Sequence, residues 1–149
     1  MTRDEFEDLS GNISADTSAL VELAHASPQG AFFRKKLLGE DIRCSLTKLT
    51  ITETHYILCR EVGAEQARSK LASLLDSGLL HVEDPPELAT TAGGIKCQRA
   101  LSLVDCHVLA LAQLLDAKAL FAHREKELLA EMRKKPFSVQ IRFLQDFTP

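Results

Sequence analysis

Along the chain, short apolar runs that stop abruptly alternate with stretches whose apolar residues recur every three or four positions. The first pattern predicts buried strands and the second amphipathic helices. Ile13-Ser14-Ala15 is the first run and ends at Asp16; Ser18 to His25 then takes up a short helical pattern. Ala31 to Leu38 predicts a second helix, with Phe32, Phe33 and Leu37 available to a core and Gly39 as its stop. Arg43 to Leu46 reads as a short strand. A third helix starts near Thr50, carries Ile51, Leu58 and Val62 in register, and ends at Gly63.

The second half repeats the alternation. Ala64 to Ser77 sets Ala67, Leu71, Leu74 and Leu75 on one stripe, Gly78 stops it, and Leu79 to Val82 predicts a buried strand. Asp84-Pro85-Pro86 forces a loop, because proline disfavours helix in the residue before it. Glu87 to Arg99 is helical in pattern, weakened at Gly93-Gly94 by about 1 kcal/mol per glycine. Leu103 to Leu115 is the most regular helix, with Val104, Val108, Leu111, Ala112 and Leu115 in step. Ala119 to Ala122 is a strand, Glu125 to Lys134 a helix ended by Pro136, and Phe137 to Phe143 alternates with a period of two. That last alternation predicts a strand with one wetter face, hence an edge. Strands separated by helices require crossover connections and a parallel sheet covered on both faces. The expected fold is α/β, a three-layer α/β/α sandwich around a central, mainly parallel sheet.

Composition narrows the class without changing the architecture. With 149 residues, 45% of them hydrophobic and 26% charged, the chain has enough material for one core. Residues 13–149 are expected to form that single domain. Residues 1–12, with Asp4, Glu5, Glu7 and Asp8, read as a disordered acidic arm and not as a signal peptide. No apolar run approaches the roughly 20 residues needed to cross a bilayer, so no membrane partner is expected. The net charge of −3 removes any global basic field, and the triplets Arg34-Lys35-Lys36 and Arg133-Lys134-Lys135 read as solvated helix faces. Cys44, Cys59, Cys97 and Cys106 lack metal or disulfide spacing, as expected of free thiols in a reducing cytoplasm.

The candidate chemistry lies in Asp16, Glu53, Asp105 and Glu125, each at or soon after a strand-to-helix junction. Singly, each has a structural explanation. Asp16 can cap the helix after it, Thr50-x-x-Glu53 and Ser102-x-x-Asp105 have the form of capping boxes, and Glu125 suits a helix N-terminus. Together they point elsewhere. In a parallel sheet such junctions share one edge, and carboxylates gathered there repel unless a cation compensates them. Hard oxygen donors suit Mg²⁺ or Mn²⁺. Glu125 is preferred to Glu127 as the fourth acid, since the two would stand about 200° apart on a helix.

In this order and spacing, Asp16-Thr17-Ser18-Ala19-Leu20, Glu53, Leu101-Ser102-Leu103-Val104-Asp105 and Leu120-Phe121 ahead of Glu125 resemble the PIN domain. The nearest match is to its VapC-like toxin ribonucleases, over about residues 13 to 144. The resemblance implies a Mg²⁺- or Mn²⁺-dependent endoribonuclease, with Asp16, Glu53 and Asp105 as metal ligands. Ser18, or Thr17, would support the site by hydrogen bonding. It further implies RNA as substrate, a homodimer, and a cognate antitoxin that occludes the site. The family's fourth acid follows a T-x-D pattern. Here Ala122-His123-Arg124-Glu125 offers glutamate in place of aspartate and lacks the threonine, which makes a catalytically weak RNA- or protein-binding module, or an RNA-processing nuclease, the alternative.

Other features carry less. Cys106-His107 are adjacent on a helix and cannot face each other. His55 and Cys59 supply only two ligands, too few for zinc. Gly93-Gly94-Ile95-Lys96 lacks a phosphate loop's spacing and reads as a rim of the cleft. His123 and Arg124, beside the acidic edge, are the expected phosphate contacts. A receiver domain would want paired acids after the first strand, where Asp16 stands alone.

Overall fold

The computed structural model describes residues 8–148. Five strands form one sheet: β1 (Gly11–Ala15), β2 (Ile42–Leu46), β3 (Leu80–Val82), β4 (Lys118–Phe121) and β5 (Ile141–Phe143). Their order is β3-β2-β1-β4-β5, and every pairing is parallel. Seven helices connect them among the described residues: α1 (Thr17–His25), α2 (Pro28–Leu38), α3 (Lys48–Val62), α4 (Ala64–Asp76), α5 (Leu88–Gln98), α6 (Leu103–Leu114) and α7 (Lys126–Lys134). The chain works outward from β1 to β3, then returns to the other side of β1 with β4. The crevice between the C-terminal ends of β1 and β4 is therefore the topological switch point, where open α/β sheets bind ligands.

Alternation along the strands feeds two cores. On one face Ile13, Ala15, Leu120 and Ala122 meet Leu20 and Leu23 of α1 and Phe33 and Leu37 of α2. On the other, Ala119, Phe121 and Phe143 meet Val108, Leu109 and Ala112 of α6, together with Leu128 of α7. Ser14, pointing into the second layer, donates its hydroxyl proton to the Val108 carbonyl at 2.8 Å. That bond holds α6 against β1 one turn beyond Asp105.

Several expectations need correction. Of the expected arm, residues 1–7 lie outside the described residues, but Leu9 is fully buried and β1 begins at Gly11, so the domain takes up the chain before Ile13. The capping box at Thr50 does not form: Thr47 caps α3, accepting from the Thr50 N–H at 3.0 Å, which leaves Glu53 in the second turn. The strand read over Phe137 to Phe143 is observed only over Ile141–Phe143, with the Gln140 carbonyl accepting the Ala119 N–H at 2.9 Å just before it, although β5 is the edge that its wetter face implies. At the opposite edge, β3 buries Leu80 but exposes Val82. Gly93 and Gly94 sit inside α5 and do not line the cleft.

Candidate functional site

At the switch point the structure opens a cleft of about 460 Å³. Asp16, Glu53, Asp105 and Glu125 all line it. They arrive from four places: the turn after β1, the second turn of α3, the first turn of α6, and the N-cap of α7. Ile57, Val21, Ala100 and Leu101 supply the apolar part of the wall.

Asp16 is 3% exposed, and its two oxygens do different things. Oδ2 accepts the Ser18 N–H at 3.0 Å and the Ser18 hydroxyl at 2.7 Å. Oδ1 is buried with no hydrogen-bond partner among the described residues. Capping and site roles thus coexist, one oxygen to each. The Ser18 hydroxyl in turn accepts the Ala122 N–H at 2.9 Å, tying the capped turn to the end of β4. Thr17 differs: its hydroxyl is buried but makes no hydrogen bond, so only Ser18 braces the carboxylate with its side chain.

Ser102 caps α6 by accepting the Asp105 N–H at 3.1 Å, while the Asp105 carboxyl faces the cleft. Burial, followed by the charges of Asp16 and Glu125, pushes Asp105 up to about 8. Burial also raises Asp16, against the opposing hydrogen bonds from Ser18 and from the Asp105 carboxyl, which lies near enough to share a proton with it. Glu125 is raised too, first by burial and then by the charges of Asp16, Glu127 and Glu53, with His123 opposing. Like charges in a shared desolvated site have this effect. Glu125 occupies the N-cap position of α7 without making a side-chain cap hydrogen bond.

Two further acids, Glu22 and Glu127, line the same cleft. Glu127 was expected to face away from Glu125. It does not, because Glu125 has extended backbone (φ −79°, ψ 137°) and the helical 100° step begins only after it. Glu22 was missed, although it lies four residues after Ser18 on α1 and so shares its face. Gly30 lets α2 approach here, since a Cβ at that position would lie 1.9 Å from the Glu22 carbonyl oxygen.

The two expected phosphate contacts separate. His123 lines the cleft, its Nε2 3.3 Å from Oε1 of Glu22. Arg124 is not part of the lining: it pairs with Asp146 at 2.9 Å, and its backbone N–H donates to Gln145. Cys106 is buried, and His107 meets the Leu103 carbonyl at 2.8 Å, so neither is presented as a nucleophile. In all, six carboxylates and one histidine line the cleft, with no lysine or arginine. Among the described residues no three His, Cys, Asp or Glu side chains converge closely enough to cage an ion unaided.

The family model for the PIN domain matches residues 13–135. None of the curated proteins matches the chain in sequence. Among solved structures, the chain is similar to VapC20 of Mycobacterium tuberculosis, described as a sarcin-ricin loop cleaving toxin. The identity is 20%, 81% of this chain and 94% of that one are covered, and the TM-score is 0.60. It is also similar to a chain of VapBC2 from Rickettsia felis bound to a promoter DNA fragment, at 14% identity, 89% and 98% coverage and a TM-score of 0.66. A toxin-antitoxin complex from Klebsiella pneumoniae contains a third similar chain, at 15% identity, 91% and 98% coverage and a TM-score of 0.59.

Proposed function

The chain belongs to the PIN domain family, and from that premise we propose that it is a Mg²⁺- or Mn²⁺-dependent endoribonuclease acting as the toxin of a toxin-antitoxin pair. One observation carries the metal reading. Six acidic side chains line a cleft without lysine or arginine, and Oδ1 of Asp16, the best buried of them, receives no N–H or hydroxyl and has only the Asp105 carboxyl beside it. A buried acceptor without a partner is costly, and a cation is the partner that suits it. The donor set is all oxygen, which fits a hard ion. Because the acids do not close into a cage, a hydrated ion fits better than a fully protein-coordinated one; magnesium typically retains several waters.

Asp16, Asp105, Glu53 and Glu125 would hold the ion, which supplies an activated water and compensates charge on the phosphoryl group when bound. Ser18 keeps Asp16 aimed by occupying its other oxygen. His123, held by Glu22 at the mouth, meets a phosphate of the substrate. Val21, Ile57 and Leu101 exclude water and receive the apolar faces of a nucleotide. RNA as substrate, a homodimer, a cognate antitoxin and a cytoplasmic location complete the reading. It draws support from the toxins and toxin-antitoxin complexes of the same fold. Among the described residues, no helix is long and apolar enough to cross a membrane.

Purified protein incubated with total RNA tests this. Fragments should appear with Mn²⁺ or Mg²⁺, disappear with chelator, and be absent for Asp16→Asn. Metal-independent binding without fragments would favour the alternative of a non-cutting PIN module, which the replacement of the family's fourth aspartate by Glu125 supports.

A further inference from the structure

Away from the cleft, the linker between α5 and α6 and the far end of α7 are tied together in both directions. Arg99, whose side chain is only 10% exposed, donates through Nη1 to the Glu131 carbonyl at 3.0 Å and the Lys135 carbonyl at 2.7 Å. Its Nη2 reaches the Pro136 carbonyl at 3.4 Å, and the guanidinium stacks 3.9 Å from the centre of the Phe137 ring. The Glu131 carbonyl already accepts the Lys135 N–H at 3.1 Å, so the arginine adds a second donor there and serves the Lys135 and Pro136 carbonyls, which lie past the end of α7. The return contact comes from Glu131, whose carboxylate accepts from the Lys134 ammonium at 3.1 Å and lies near the Ala100 N–H, with Arg99 Nη1 at 4.0 Å.

Both tied segments lead into the cleft. Ala100, Leu101 and Ser102 form part of its wall, and Ser102 caps the helix that presents Asp105. At the other end, α7 begins at Glu125. This helix has nine residues and buries only Leu128 and Glu131, and no side chain caps its start. A helix so short, about 13 Å, moves as a rod. Leu128 anchors it in the second core with Leu129 and Met132 packed alongside, and the tie at Glu131 is its other buried fixed point.

We propose that Arg99 and Glu131 are positioning residues: their cross-tie sets the separation of Asp105 and Glu125 and through it the affinity of the cleft for its divalent cation. This rests on the metal reading above. Neither residue lines the cleft, so neither would touch the ion or the substrate. Arg99→Lys keeps the charge but loses the planar fork that serves several carbonyls at once. Changes to residues that orient metal ligands cost about ten- to hundredfold in metal affinity.

Calorimetric titration of the full chain with Mn²⁺ tests the proposal on the parent, Arg99→Lys, Glu131→Gln and a control, Phe147→Ala. The control loses the ring stack on Phe32, at 5.5 Å in the other core, and leaves the cleft wall alone. Arg99→Lys and Glu131→Gln should each weaken Mn²⁺ binding about tenfold, and saturating Mn²⁺ should recover most RNA cleavage. Phe147→Ala should melt earlier yet bind Mn²⁺ like the parent. Either tie variant that folds and binds Mn²⁺ with the parent's affinity would overturn the proposal and leave the metal reading standing. A parent that takes up no Mn²⁺ overturns the metal reading itself, and the proposal with it.

Discussion

Glu131 and the cleft acids are two settings for a poorly hydrated carboxylate in the same small domain. Glu131, 4% exposed, is surrounded by donors. The hydrogen bond from Lys134 first, then the nearby Ala100 N–H and Arg99, hold its pKa below the ordinary range against the effect of burial. In the cleft, Asp16, Asp105 and Glu125 have their pKa values raised; His123 is the one basic side chain in the lining, and its ring already meets Glu22. The same fold thus pairs a buried acid fully where the acid serves packing, and leaves three underpaired where the sheet opens. Removing a partner from a satisfied buried group costs stability, whereas removing one of several repelling charges does not. Pairing thus distinguishes Glu131, held by its neighbours, from cleft acids left open to a ligand.

The largest expected effect breaks the cleft side. Asp105→Asn should reduce metal-dependent RNA cleavage by more than about a hundredfold, above the cost of disturbing an outer residue. The product yield in a chelator-controlled RNA digest checks it. Stability should then move in opposite directions at the two sites. Glu131→Gln should lower the melting temperature of the metal-free protein. Glu125→Gln, which removes a half-exposed repelling charge, should leave stability unchanged or raise it by at most about 1 kcal/mol. Thermal melts of the pair in chelator decide the matter.

Acidity sharpens the same contrast. A carboxyl whose folded pKa is raised contributes stability that is full below its unfolded value and is lost as pH rises through its folded value. For Asp105 that window runs from 3.8 to about 8. The metal-free protein should therefore melt at a higher temperature near pH 5.5 than near pH 8.5, roughly. Glu131 has the reverse sign and loses its contribution only as pH falls below the usual carboxylate range. A saturating divalent ion should flatten the upper part of the profile. Melts across a pH series, with and without Mn²⁺, check this.

The smallest effect concerns Arg124, which faces Asp146 instead of the cleft. Arg124→Ala should cost at most about 1 kcal/mol, as exposed ion pairs do. It should leave RNA cleavage within about twofold of the parent, whereas His123→Ala should lower RNA affinity. Filter binding over a salt series measures both.

Hydrophobic patterning made most of the architecture readable. The runs Ile13 to Ala15 and Ala119 to Ala122 correspond to β1 and β4, the two strands at the switch point, because burial on both faces leaves a strong apolar signature. The junction acids were legible for the same reason, since a parallel sheet sends such junctions to one edge. Where capping chemistry had to be assigned among equivalent hydroxyls, the sequence was ambiguous: Thr47 and Thr50 are both competent caps, and only the path from β2 selects Thr47. Glu127 was misplaced because helical rotation was counted from a residue that is not yet helical. Arg99 gave no local signal at all; its partners lie more than thirty residues away on α7 and beyond. The direction of Arg124 likewise depends on a turn near the end of the chain, at Gln145 and Asp146.

Asp16 carries the sharpest test, because its two oxygens have different tasks. Asparagine retains one oxygen for the Ser18 cap and places an amide where the unpartnered Oδ1 stood. Melting the parent and Asp16→Asn with and without Mn²⁺ tests that assignment directly. Similar melting temperatures are expected in chelator, with a clear Mn²⁺-induced rise for the parent by mass action and little or none for Asp16→Asn. Equal Mn²⁺-induced shifts in the two proteins would contradict that assignment and reduce Asp16 to a helix cap.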